Sequence, residues 1–269
     1  CALPIWPPAA PALLKACVNN AGLTARTKDF SLMLYHKHCN QNYEYYSKIN
    51  KQFESLVVWE DLDIVKSWID SCIDYIKTVD TKNLGISVFS PYQHRATVLL
   101  AEAVKEKLPH IKIILGGYGL TQPCTSSFKN FRSISLKEQF KNFDQYMLTR
   151  QLADFCIYGD GEEQLVNVLK GQPISNSTAD LNHVPISDFT DYNLDTYIWH
   201  NEPVLTVTGS KGCVRSCTFC NVPQNFGKYR RKSGDLVAKE LIELSQQYNI
   251  YKFEFTNILS FTINFYYHI

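Results

Sequence analysis

Three cysteines crowd into eight residues, Cys213-Val-Arg-Ser-Cys217-Thr-Phe-Cys220, at the spacing C-x3-C-x2-C. Thiolates are the ligands that iron-sulfur clusters use, and four of them close a 4Fe-4S site. Three leave one iron open, and an open iron can chelate a small molecule. The rival chemistry is structural zinc, which takes four ligands, often in two C-x2-C pairs. This chain has one such pair, and His200 or Cys156 would have to complete a zinc set. The spacing therefore disfavours zinc. The other six of the nine cysteines, Cys1, Cys17, Cys39, Cys72, Cys124 and Cys156, stand singly and read as small buried hydrophobes. Close cysteine clusters in a large chain bind metal more often than they form disulfides.

The flanking segments say what must position the cluster. Pro203 to Thr208 alternates as a strand, and 209–229 is a loop. Ser233 to Tyr248 is a helix with Leu236, Val237, Leu241 and Leu244 on one side, and Lys252 to Thr256 is a second strand. The cysteines thus lie between the strand and helix of a β-α-β unit. Upstream, Leu84–Phe89, His94–Leu108 and Ile111–Leu115 read as strand, helix, strand. Asp154–Tyr158 followed by a helical run to Leu169 repeats the idea. Such alternation indicates an α/β fold with an open parallel sheet, whose ligands bind at the carboxyl ends of the strands. Gly116, Gly117 and Gly119 stand at one such end, and Gly159 and Gly161 at another. Ala9–Ala21 has helical spacing, and Asp61 or Asp63 caps a helix that runs to Val79 with Ile64, Trp68, Cys72, Ile73 and Ile76 inward. Phe30, Leu32 and Leu34 alternate as in a half-buried strand. Between Gly171 and His200 periodicity gives way to Pro, Ser and Asn, a linker whose Val184, Ile186, Phe189 and Tyr192 are expected to anchor it on the first domain. The expected division is a Rossmann-like domain over 1–170, a linker over 171–200 and a second domain over 201–269.

With 269 residues, 45% of them hydrophobic and 20% charged, the chain can bury the core of one large or two ordinary domains, which excludes general disorder. Lys plus Arg number 27 and Asp plus Glu 26, a formal charge of +1. No overall field exists to hold a nucleic acid or an anionic membrane. Apolar runs such as Ile111–Leu115 fall far short of the roughly 20 residues of a membrane helix. Cys1–Leu14 lacks the basic start of a secretory signal. The chain reads as soluble and cytoplasmic, and its first residue, which is not Met, as a sign of clipping or incompleteness.

The C-x3-C-x2-C loop, with Phe219 just before the last cysteine, resembles the signature of the radical S-adenosylmethionine (SAM) enzymes. The segment Gly227-Lys-Tyr-Arg-Arg-Lys-Ser233 is similar to the basic stretch that leads into that family's first barrel helix. Upstream, Gly85-Ile-Ser-Val-Phe-Ser90, Leu115-Gly-Gly117 and Tyr158-Gly-Asp-Gly-Glu162 resemble the cobalamin-binding Rossmann domain that precedes many such barrels. The resemblance implies a 4Fe-4S cluster on Cys213, Cys217 and Cys220, SAM on the open iron, and reductive cleavage to a 5'-deoxyadenosyl radical. It further implies an electron donor of the flavodoxin or ferredoxin kind, and a small-molecule or peptide substrate with methyltransferase-type activity. Glu254, Thr256 and Asn257 are the candidate SAM contacts on the second barrel strand, and Gly116 and Gly117 the candidate cobalamin contacts. Two departures limit the carry-over. No Asp-x-His-x-x-Gly motif is present, since His94 is followed by Arg95, Ala96 and Thr97, so any cobalamin is expected without a His ligand. Family barrels have about six strand-helix units, and this sequence supplies one and the next strand, the start of a partial (β/α) barrel. The alternative reading is a non-catalytic zinc or cluster protein, or a remnant acting as a binding module.

Overall fold

A computed structural model describes residues 7–54, 62–122, 142–174, 178–215, 217–218 and 226–256. Within these, 28–174 form one compact unit, and 7–27 together with 178–256 form a second. Helix α1 (Ala9–Asn20) opens the described chain and belongs to the second unit. The first unit then runs α2 (Phe30–Met33), a π-helical turn over Leu34–His38, α3 (Tyr43–Glu54), α4 (Leu62–Val79), β1 (Asn83–Ser87), α5 (His94–Lys107), β2 (Lys112–Gly116), α6 (Phe143–Thr149), β3 (Phe155–Ile157) and α7 (Gly161–Leu169).

The three strands pair in parallel in the order β1-β2-β3, with Leu84 opposite Ile113 and Leu115 opposite Cys156. A parallel strand needs a crossover before it can pair again, and α5 supplies one between β1 and β2. The middle strand is the most deeply placed: Ile113 and Leu115 are fully buried, with Ile114 beside them. Val98, Ala101 and Val104 of α5 and Trp68, Cys72, Ile73 and Ile76 of α4 join them in one apolar core. The inward face expected for α4 is the face observed.

Phe30, Leu32 and Leu34 correct an expectation, because they belong to helical turns and not to a strand. The Asp29 carboxylate caps α2 by accepting the Leu32 N–H at 2.9 Å. Phe30, Met33 and Leu34, at helical spacing, turn the same segment into the core. Helices α3 and α6 carry Tyr46, Ile49 and Phe53, and Phe143, Tyr146 and Met147, inward.

In the second unit, β4 (Ile198–Trp199) and β5 (Glu202–Pro203) form a short antiparallel pair. Strand β6 (Leu205–Val207) is buried along its length and pairs in parallel with β9 (Phe253–Phe255), Thr206 lying opposite Glu254. Between them come the antiparallel pair β7 (Ser210–Lys211) and β8 (Arg230–Arg231), then α8 (Gly234–Tyr248). Ser233 caps α8 through the Leu236 N–H, and Asn249 closes it in the left-handed conformation.

The boundaries differ from those expected at two places. The ammonium of Lys15 on α1 is 5% exposed and lies 2.7 Å from Asp191 and 3.2 Å from Asp188. Phe189, fully buried, donates its N–H to the Tyr248 hydroxyl on α8. Phe189 and Tyr192 of the linker therefore pack within the second unit, to which α1 also belongs. Among the described residues no helix is long and apolar enough to cross a membrane.

Candidate functional site

The cysteine loop leaves β7 and returns on β8. Gly212, at φ +75, seats the chain so closely on the returning backbone that a Cβ there would lie 2.5 Å from the Lys228 carbonyl oxygen and 2.6 Å from that of Gly227. Only glycine adopts this conformation at such an approach. The next residue, Cys213, forms a β-bridge with Lys228. Cys213 is half-buried and Cys217 exposed. The Cys213 sulfur accepts the Arg215 N–H at 3.4 Å, the kind of hydrogen bond that tunes a cluster thiolate. Cys220, like Phe219 and Asn257, lies outside the described residues.

The donor set therefore fits an iron-sulfur cluster: thiolate chemistry, two of its sulfurs on one loop straight after a strand, one of them already hydrogen-bonded. Among the described residues no three His, Cys, Asp or Glu side chains converge on a metal position. Cys156 and Cys72 are buried elsewhere, and burial pushes each of their thiols up to about 12. Such groups stay protonated and inert. Cys39 is shifted in the same direction for the same reason.

In the basic segment after the loop, Arg230 and Lys232 are held by partners within the fold. Arg230 donates to the carbonyls of Ala179 at 2.8 Å, Phe226 at 3.1 Å and Lys228 at 3.4 Å. Lys232 is buried with Glu240 at 2.5 Å, both side chains 6% exposed or less. Arg231 stays exposed. On β9, Glu254 is exposed, and the Thr256 hydroxyl just beyond it meets the Thr208 hydroxyl at 2.9 Å. Thr256 thus ties the ends of β6 and β9 together, while the Glu254 carboxylate faces solvent.

At the carboxyl end of the first unit's sheet, Gly116 has open space over its α-carbon. Gly117, at φ +107, does not: its Cβ position is 2.5 Å from the Val88 carbonyl, so the close approach there is made by the chain itself. Gly119 meets Val88 in the same way. Phe89 and Tyr158, which follow β1 and β3, are 69% and 41% exposed, and the Tyr158 hydroxyl donates to Asp144 at 2.6 Å. His94 is turned inward, its Nε2 bonded to the Gly119 carbonyl at 2.8 Å and its ring stacked on Phe143.

No protein-family model matches the chain, and no curated protein matches it by sequence. Solved structures do match by fold. The radical SAM methyltransferase TsrM from Kitasatospora setae, with tryptophan substrate and the SAM analogue aza-SAM bound, aligns over 93% of this chain and 44% of its own, with a TM-score of 0.54 and 12% identity. The same enzyme with cobalamin and a 4Fe-4S cluster bound aligns over 94% of this chain and 46% of its own, with a TM-score of 0.54 and 11% identity. This chain thus spans less than half the length of either structure. The fold is α/β: a Rossmann-like parallel sheet, then in sequence a β-α-β unit with parallel strands, an arrangement similar to that of TsrM over the aligned residues.

Proposed function

We propose that Cys213, Cys217 and Cys220 bind a 4Fe-4S cluster and that the chain serves radical SAM chemistry of the cobalamin-dependent methyltransferase type. The observation that carries this reading is the C-x3-C-x2-C loop, set between β6 and α8 of a fold shared with TsrM. When bound, the cluster supplies one-electron reductive cleavage of the SAM sulfonium at the iron that three thiolates leave open.

The chain's own residues hold and orient. Gly212 fixes where Cys213 stands, and the Arg215 N–H donates to its sulfur. Glu254 is the candidate partner for a cationic or hydroxyl group of SAM, with Asn257 beyond it; Thr256 fixes the strand ends. Cobalamin belongs at the carboxyl end of the β1-β2-β3 sheet, where Gly116 leaves room and Phe89 offers an exposed apolar face. Gly117 serves that end by packing on Val88. His94 would not supply a ligand to cobalamin, since its ring is committed to Gly119 and Phe143. A one-electron carrier of the flavodoxin or ferredoxin kind is the implied donor, and a small molecule or peptide the substrate.

Anaerobic reconstitution with iron and sulfide tests the reading. Wild-type protein should turn brown with about four irons per chain, and Cys217→Ala should hold little iron, because two thiolates do not retain a cubane. A colourless protein carrying one zinc would overturn it.

A further inference from the structure

We propose that Arg230 is a positioning residue for the Cys213 limb of the cysteine loop, seconded by the buried Lys232–Glu240 pair. The inference rests on the metal-binding role proposed above for that loop. Cys213 stands where it does because Gly212 sits on the backbone of Gly227 and Lys228. Whatever fixes that returning backbone therefore fixes the sulfur.

Arg230 holds it on both sides of the contact. Its guanidinium donates to the Phe226 and Lys228 carbonyls, which flank Gly227, and to the Ala179 carbonyl of a distant segment. A planar fork with five donors reaches three carbonyls in separate directions, which a lysine ammonium on its flexible stem does not reproduce. Two residues further on, the Lys232 N–H donates to the Gly209 carbonyl just before β7, while its ammonium is buried against Glu240 on α8. The two arms of the loop are thus fastened to each other at Gly209–Lys232 and Cys213–Lys228, and to α8 and residue 179 beyond. Groups that orient metal ligands in this way typically contribute 10- to 100-fold in metal affinity.

Cobalt(II) alone is the probe, because its thiolate charge-transfer band reports binding at the loop with no cluster assembly and no turnover. Arg230→Lys should raise the Co(II) Kd about tenfold or more, and Gly212→Ala, which disturbs the same seat from the other arm, should do likewise. Arg231→Lys, at the exposed neighbour, should stay within about twofold of wild type. Circular dichroism and the thermal midpoint, read on the same samples, identify a variant that fails to fold, and Gly212→Ala carries the test if Arg230→Lys does so. Unchanged cobalt affinity in folded Arg230→Lys, or an equal loss in Arg231→Lys, overturns the assignment. Failure of the cluster reading would look different: the wild type would stay colourless with iron and sulfide while the cobalt comparison still stood.

Discussion

His94 is the residue whose titration should be most visible in the stability of the fold. It is 1% exposed, stacked on Phe143 with ring centroids 3.9 Å apart and planes 3° from parallel, and bonded to the Gly119 carbonyl. A carbonyl only accepts, so Nε2 carries the proton of the neutral ring. Burial holds its pKa down to about 4, the Gly119 carbonyl opposing weakly. The unfolded chain takes up this proton near pH 6.5. Between those values the unfolded state binds more protons than the folded one, so stability is full above about 6.5 and is lost as pH falls. At 1.36 kcal/mol per pH unit the whole interval amounts to about 3 kcal/mol, of which about 2 kcal/mol is gone between pH 8 and pH 5. Asp154, Asp188 and Asp191 have carboxyls held below their ordinary value by partners such as Lys105 and Lys15, against the opposing effect of burial. Their contributions are lost below this window. Burial, helped by Lys37, also lowers His38, which acts in the same sense but is common to wild type and variant. The assay is urea unfolding by circular dichroism at intervals from pH 8 to pH 5, for wild type and His94→Gln. The glutamine keeps an amide donor and does not titrate. The variant's absolute stability is immaterial, and its loss over that range should be smaller by about 2 kcal/mol. Equal losses would show that the buried imidazole is not what the acid works on.

Glu240→Ala strands the Lys232 ammonium in the second unit and should cost about 3–5 kcal/mol in urea unfolding, whereas the double variant Lys232→Met/Glu240→Leu should recover most of it. A double variant as unstable as Glu240→Ala would deny that the unpaired charge is the cause. Gly117→Ala should lose about 1–3 kcal/mol from its positive φ and from the Val88 carbonyl in its path. Gly116→Ala, with open space, should lose less than about 1 kcal/mol; thermal midpoints compare the two. If the Co(II) form of bound cobalamin is examined by paramagnetic resonance, no nitrogen splitting from a protein imidazole should appear, and such a splitting would contradict the inward placement of His94.

Much of the fold was legible because burial wrote itself into spacing. The apolar stripe of α4, the strands around Leu84, Ile113 and Cys156, and helix α8 all stand where periodicity puts them. The Phe30–Leu34 segment was misread because its apolar residues satisfy a period of two and a helical period at once. Only the Asp29 cap decides between them. The place of helix α1 is not legible in sequence, because its partners, Asp188 and Asp191, lie far along the chain and nothing local announces the pairing. The cysteine motif was plain in the sequence, but its supports were not. Arg230 and Lys232 look like a solvated basic run until carbonyls and Glu240 surround them. Likewise Gly117 stands out in sequence only as a glycine, and three dimensions add its close approach to Val88.

The central claim is that three thiolates leave one iron of a cluster open to SAM. It is tested most directly by low-temperature paramagnetic resonance of the reconstituted, reduced protein with and without SAM. A reduced-cluster signal whose g-values shift when SAM is added is the expected result, because a ligand on the open iron itself would alter it. A cluster signal that SAM leaves unmoved, or the absence of any cluster signal in protein that has taken up zinc, would contradict it.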